Sequence, residues 1–372
     1  MNAFHTLNGS RVSSESLGFS SFFSTQFAAL EGRERLVPAR VAADRRGVYE
    51  LVGCASSSAT LAGKLRHALD VESLPVAGDW VAIEERDGSA VIRAVLARRT
   101  ALRRKHAGTR SSAQVLAANV DVFFVATSGD DANPRRLERY LAAVIDGGAK
   151  PVVVLNKADL ADEASLEASL RALREVSGGV PVVAVSARDG RGLDALEAWL
   201  EPGATVGFVG SSGVGKSSLV NALVSRATAA AELLPQPVGA VDHVGRGTHT
   251  TTARSLISLG ARGWLMDTPG MRELGSVGES EGLATTFAEI ESLAAQCRFR
   301  DCAHDREPGC AVREAIGDGS LEPERLASYE KLARESAAAA ARRDGAAQAA
   351  AKRTFKERSK QQRAHYKSKY SS

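Results

Sequence analysis

The sequence predicts a multi-domain chain: a small all-β OB-type barrel, then an α/β P-loop domain with a circularly permuted parallel sheet, then a small zinc-binding α-helical domain. Three observations carry this. Short β-type runs bounded by turn residues fill residues 35 to 103. From residue 119 to 275, apolar strand-like runs alternate with helix-period segments. Beyond them, Cys297, Cys302, His304 and Cys310 crowd together.

With 372 residues the chain exceeds the usual size of one domain. The apolar fraction of 44% and charged fraction of 25% are those of an ordinary globular protein and point to no function. The excess of 48 basic over 44 acidic residues is small but uneven. Basic residues concentrate between Arg98 and Arg110 and again in Lys352, Arg353, Lys356, Arg358, Lys360, Arg363, Lys367 and Lys369, where Glu357 is the one acid. Both runs are expected to contact a polyanion. No apolar run is long enough to span a membrane. The Ser-rich start, with Phe19, Phe22, Phe23 and Phe27, lacks the basic and apolar order of a secretion signal.

Residues 1–33 are expected to form a weakly ordered extension. The barrel follows over 34–103, built from Leu36 to Ala42, Val48 to Gly53, Ala59 to Leu65, Trp80 to Glu85 and Ala90 to Ala97. Strand count alone leaves an SH3-like barrel open beside the OB type. Residues 104–118 read as a basic linker loop. The nucleotide domain spans 119–278, with strands at Val120 to Ala126, Pro151 to Leu155, Pro181 to Val185, Thr205 to Val209 and Trp264 to Met266. Leu137, Leu141 and Val144, then Leu166, Leu170 and Leu173, recur at helical spacing and should cover the sheet. The zinc-binding helical domain occupies 279–335, including a helix starting near Pro323. Residues 336–372 form a basic Ala/Arg/Lys-rich tail.

Gly210-Ser211-Ser212-Gly213-Val214-Gly215-Lys216-Ser217-Ser218 stands between a strand and a helix, where a phosphate-binding loop belongs. Its backbone N–H groups would cradle phosphates, Lys216 would reach the terminal phosphates, and Ser217 would ligate Mg²⁺. Asn156-Lys157-Ala158-Asp159 after its own strand chooses the base. Asp159 would accept both ring-edge donors of guanine, whereas adenine presents an acceptor there and would be disfavoured by ~10⁴ or more. Asn156 would tether the loops and Lys157 lie along the base. Ser186-Ala187-Arg188, with Gly190 and Gly192 behind it, would close over the purine. The ligand expected is therefore GTP or GDP with Mg²⁺.

Asp267-Thr268-Pro269-Gly270 offers Asp267 to the Mg²⁺ shell and the Gly270 N–H to the γ-phosphate. Gly247-Thr248-His249-Thr250-Thr251 supplies hydroxyls to a loop that orders on the metal; either Thr250 or Thr251 can be the ligand. Met271 stands where many GTPases carry a water-orienting glutamine, so unaided hydrolysis should be slow and His249 is the candidate to position water. Base motifs precede the phosphate loop and switch motifs follow it, which is circular permutation; the second switch then leads directly into the Cys/His segment. Cys297, Cys302, His304 and Cys310 form C-x4-C-x-H-x5-C, four ligands for one tetrahedral, structural Zn²⁺.

These motifs in this order resemble the ribosome small subunit-dependent GTPase A family, bacterial circularly permuted GTPases with an N-terminal OB domain and a C-terminal zinc domain. The resemblance covers roughly residues 35 to 330 and implies a cytoplasmic, monomeric factor that binds the 30S subunit late in maturation, contacts 16S rRNA and hydrolyses GTP when that particle stimulates it. Two other readings use the same residues: an ATP-dependent P-loop enzyme, which would have no use for Asp159, and an RNA-binding zinc scaffold holding a structural nucleotide.

Overall fold

The computed structural model describes residues 14–86, 89–105, 113–131, 133–232, 255–267, 280–338 and 341. The stretch expected to be a loose extension is packed from residue 14 onward. Helix α1 (Ser21–Ala28) buries Phe23 and Phe27, and Leu17 is fully covered. The Phe19 and Phe23 rings stand 4.7 and 5.9 Å from that of Trp80. Gln26 fastens the helix by accepting from the Ala97 N–H at 2.7 Å. The apolar side chains that lack a leader's basic start form the face of a helix packed on Trp80.

Strands β1 (Val37–Asp44), β2 (Val48–Val52) and β3 (Ser58–Leu61), the short helix α2 (Gly63–Ala68), then β4 (Trp80–Arg86) and β5 (Ser89–Val95) build the barrel. Its order is β1-β2-β3-β5-β4, closed by antiparallel pairing of β4 with β1, and β3 runs parallel to β5. That Greek-key closure, with the helix between β3 and β4, identifies the OB type rather than the SH3-like alternative. Inward residues Val41, Leu51, Val81, Ile83 and Ile92 fill it.

The stretch expected as a linker is a ribbon of β6 (Ala101–Lys105) and β7 (Ala113–Ala118). Leu102, Val115, Leu116 and Ala117 are buried and anchor it, an apolar pattern masked by the basic residues between them.

Strand β8 (Val122–Ser128), helix α3 (Pro134–Asp146), β9 (Lys150–Asn156), α4 (Glu163–Val176), β10 (Val182–Ala184), α5 (Leu193–Glu197), β11 (Thr205–Gly210), α6 (Lys216–Glu232), β12 (Ser255–Ser258) and β13 (Trp264–Asp267) follow. They form a sheet of order β10-β9-β8-β11-β13-β12, parallel except for β12. Phe124, Val152, Val154 and Phe208 pack with Leu196, Leu219 and Leu223 on one face. Phe123, Val125, Val153 and Leu155 pack with Leu137, Leu141 and Leu173 on the other. Strands buried on both faces explain the unbroken apolar runs. Strand β12 pairs onward with β1, Ser255 opposite Ala43, joining sheet and barrel.

Helices α7 (Ser280–Thr286), α8 (Ala288–Ala294) and α9 (Ala311–Gly317) and a last helix over 323–338 enclose Phe287, Ile290, Val312, Leu321, Leu326 and Leu332.

Phe23→Ala should lower the unfolding free energy by about 3 kcal/mol, the cost of emptying a buried aromatic site. Urea unfolding measures it; an unchanged midpoint would return residues 14–30 to the status of a loose extension.

Candidate nucleotide site and metal centre

In a doubly wound sheet the loops at the carboxyl ends of the strands form the binding crevice. Here β8, β9, β10, β11 and β13 deliver to that edge Asp130, Asn156 to Asp159, Ser186 to Arg188, Gly210 to Lys216, and Asp267. The phosphate loop depends on glycine. Gly215 has φ +92°, and a Cβ there would lie 2.3 Å from Asn156 Nδ2. At Gly210 (φ +140°) a Cβ would lie 2.2 Å from the Ala126 carbonyl oxygen. Lys216 donates from Nζ to the carbonyl oxygens of Gly210, at 2.8 Å, and Ser211. Ser217 and Ser218 are exposed in the first turn of α6, whose free N–H groups favour an anion.

Asn156, 3% exposed, uses both ends of its amide. Nδ2 donates to the Val214 carbonyl oxygen at 2.9 Å, and Oδ1 accepts from the Ala187 N–H at 3.2 Å. Three loops distant in sequence are thereby joined by one side chain. Asp159 accepts from the hydroxyl of fully buried Ser186 at 2.8 Å, while the Arg188 guanidinium stands 4.0 Å from its other oxygen. Lys157 adopts the left-handed conformation, φ +63°, and places Nζ 3.4 Å from Asp130. Ala158 is buried beneath the loop.

Asp267 ends β13, and burial raises its carboxyl above the usual range. A cation beside it would favour the ionised form. His249, Thr250, Thr251 and Gly270, with Met271, lie outside the described residues.

Sequence reasoning passed over Arg136. From the first turn of α3 its Nη1 donates to Ser211 Oγ at 2.7 Å and to Asp131 Oδ1 at 2.6 Å. The signal was present in Asn133-Pro134, a capped helix start directly after a buried strand, which puts the first turn at the crevice.

Cys297, Cys302, His304 and Cys310 converge, with all four ligand atoms within 4.8 Å of one another. Cys297 Sγ lies 3.8 Å from Cys310 Sγ and 3.7 Å from His304 Nδ1, which is 3.4 Å from Cys310 Sγ. A tetrahedral zinc with Zn–S about 2.3 Å and Zn–N about 2.05 Å needs S···S about 3.8 Å and S···N about 3.6 Å. Cys297, His304 and Cys310 therefore stand at the spacing of that ion's ligands, with Cys302 completing the set within 4.8 Å. Burial would raise the Cys297 thiol, but the N–H groups of Val312 and Ala311 at the start of α9, with Cys310 and Cys302, outweigh it and hold the thiol below its ordinary value. Glu307 shapes the loop: its carboxylate accepts from the N–H groups of Ala303, Asp305 and Arg306, each at 3.0 Å, around left-handed His304 (φ +60°).

A phosphate loop preceded in the chain by the Asn156 and Ser186 loops and followed by Asp267, all at one edge of the sheet, is the arrangement of a circularly permuted P-loop GTPase. The RsgA GTPase family model matches residues 95–277. A protein of Syntrophotalea carbinolica described as small ribosomal subunit biogenesis GTPase RsgA is 44% identical over 351 residues, 91% of this chain and 94% of that one. Its namesake from Opitutus terrae is 46% identical over 345 residues, 88% and 91% of the two chains. YjeQ from Thermotoga maritima superposes with a TM-score of 0.59 at 28% identity, covering 81% of this chain and 98% of its own. YloQ, described as a circularly permuted GTPase, shares the fold, with a TM-score of 0.56 at 24% identity over 82% and 97%. The chain belongs to the RsgA GTPase family. Among the described residues no helix is long and apolar enough to cross a membrane.

Gly215→Ala should weaken guanine-nucleotide binding at least about 100-fold, because the added Cβ displaces Asn156 and the backbone is strained. Fluorescent-GDP titration reads the loss; binding within threefold of wild type would count against the tether.

Proposed function

We propose that the protein hydrolyses GTP to GDP and phosphate while serving the maturation of the small ribosomal subunit, in contact with 16S rRNA, and that this particle accelerates its turnover. The observation that carries the nucleotide half is the Asn156 tether, which holds the Asp159 loop and the phosphate loop at opposite ends of one crevice. The ribosomal half is supported by the names of relatives that match most of the chain.

In this reading Asp159, kept in place by Ser186, accepts from the two donors of the guanine edge, and Ala187 and Arg188 close over the ring. Lys157 lies along the purine. Lys216 leaves the Gly210 and Ser211 carbonyl oxygens for the terminal phosphates, and the N–H groups from Ser212 to Ser218 line them. Ser217 and Asp267 would hold Mg²⁺, which would supply charge neutralisation at the phosphates. Either Thr250 or Thr251 joins them, Gly270 donates to the γ-phosphate, and His249 positions water in the absence of a glutamine at Met271. The Cys297, Cys302, His304 and Cys310 set would hold one Zn²⁺ through four protein ligands, and the ion would contribute to folding, ~10 to 16 kcal/mol in comparable peptides. The protein acts as a cytoplasmic monomer, and Arg103 and Arg104 of the ribbon bring cations toward RNA phosphates.

Turnover should rise on addition of purified small subunits, and Lys216→Ala should abolish the rise. Asp159→Asn should weaken GDP binding about 100-fold or more and improve xanthosine diphosphate, whose C2 carbonyl suits an amide. Equal competition by ATP and GTP against labelled GDP would refute the base assignment. Purified protein should carry one equivalent of zinc, absent from Cys297→Ala; elemental analysis checks both.

A further inference from the structure

The second switch leads in sequence into the Cys/His domain; the described residues contain a separate connection to that domain, along α3. One of its side chains holds the phosphate loop at Ser211: Arg136 Nη1 donates to Ser211 Oγ at 2.7 Å. Glu138 lies about 200° around the helix from Arg136 and so faces away from the loop. It is 2% exposed and meets the C-terminal domain.

There Glu138 Oε1 accepts from Arg325 Nη1 at 2.6 Å, and Oε2 accepts from the Ser328 hydroxyl. Arg325 is itself nearly covered. Its Nε donates to Glu289 at 2.6 Å and its Nη2 to the Thr286 carbonyl oxygen at 2.7 Å, with the Phe287 ring 4.4 Å away. Farther along α3, Asp146 accepts from the Gly282 N–H at 2.7 Å, and any Cβ at Gly282 would lie 2.3 Å from the Ala142 carbonyl oxygen. Opposite faces of one helix are thus clamped to the phosphate loop and to the Cys/His domain. A buried charged cluster tolerates few arrangements, since separating Glu138 from Arg325 leaves uncompensated charge. A small displacement of α3 at Ser211 must therefore carry the C-terminal helices with it or strain that cluster.

We infer that Arg136 is a positioning residue for the phosphate loop, and that α3 transmits the setting of that loop to the Cys/His domain through Glu138 and Arg325. This rests on the nucleotide site proposed above. By reciprocity, a change at Glu138 must alter nucleotide affinity although Glu138 does not touch the crevice.

Amide exchange over residues 288–338 of the full chain, with GDP and with a non-hydrolysable GTP analogue, tests the link. The wild-type protein should show different protection in the two states. Arg136→Ala should erase the difference and weaken GDP binding three- to tenfold, with Arg136→Lys recovering part of both. Glu138→Gln, which keeps an acceptor for Ser328, should shift GDP affinity two- to fivefold; Arg325→Lys serves the same purpose if the first variant unfolds. Tight GDP binding with identical exchange in both states, or an exchange difference that survives in Arg136→Ala, would overturn the coupling alone. Failure of the wild-type protein to bind guanine nucleotides would overturn the site assignment along with it.

Discussion

The Asn156 amide sets the geometry on which the nucleotide site depends. It must donate to Val214 and accept from Ala187 at once, in a place almost without water. An aspartate could not donate, a leucine could do neither, and each would leave a buried backbone group unpaired at a cost of about 1 to 3 kcal/mol. The same contact explains Gly215, since the amide occupies the space a Cβ would need. The proposed base-reading loop and the phosphate loop are therefore not separate motifs that happen to coexist. Their separation is fixed by one side chain, and a ligand must span it.

This tether also explains why permutation is harmless. In the order β9-β8-β11-β13, β8 lies beside β11 although β9 and β10 come between them in the chain, and each strand still ends at the same edge. Binding requires only that those carboxyl ends converge; it does not depend on the order in which the chain visits them. What permutation changes is where the ends emerge. The chain enters the sheet from the ribbon at β8 and leaves it beyond β13, so the barrel and the Cys/His domain attach at opposite ends of the nucleotide module's sequence. Strand β1 then returns to pair with β12, and the last helix returns to α3.

Much of this could be read from the sequence because local chemistry carried it. Unbroken apolar runs marked strands covered on both faces, glycine spacing marked the phosphate loop, and metal-ligand spacing marked Cys297 to Cys310. The features that were not legible are those whose meaning lies in a distant partner. Phe19, Phe23 and Phe27 have no local pattern that says Trp80 will meet them. Strand β12 is four residues of ordinary composition, made a strand by β13. Asn133-Pro134 places Arg136 near the crevice, but its partner Ser211 comes within reach only when β8 and β11 lie side by side. Leu102 and Leu116 lie on either side of the basic stretch Arg103 to Arg110, whose charges give the ribbon the composition of a linker.

Arg40 shows how such distant relations are made secure. It sits on β1 at 1% exposure, and burial, opposed in part by Asp121, lowers its guanidinium to about 10. Its hydrogen bonds go to neutral groups: the carbonyl oxygens of Leu17, Asn119 and Gly78 at 3.0, 3.2 and 3.4 Å, and Thr205 Oγ1 at 2.7 Å. Those acceptors belong to the N-terminal segment, the end of the ribbon, the turn before β4 and the first residue of β11. A cation so placed is costly unless every acceptor stays in position. Withdrawing any one segment would leave charge uncompensated in an apolar junction with Trp80 beside it. Apolar contacts alone would let barrel and sheet slide, because hydrophobic attraction has no direction. The buried guanidinium adds direction, and it aligns the barrel with the strand that leads into the phosphate loop.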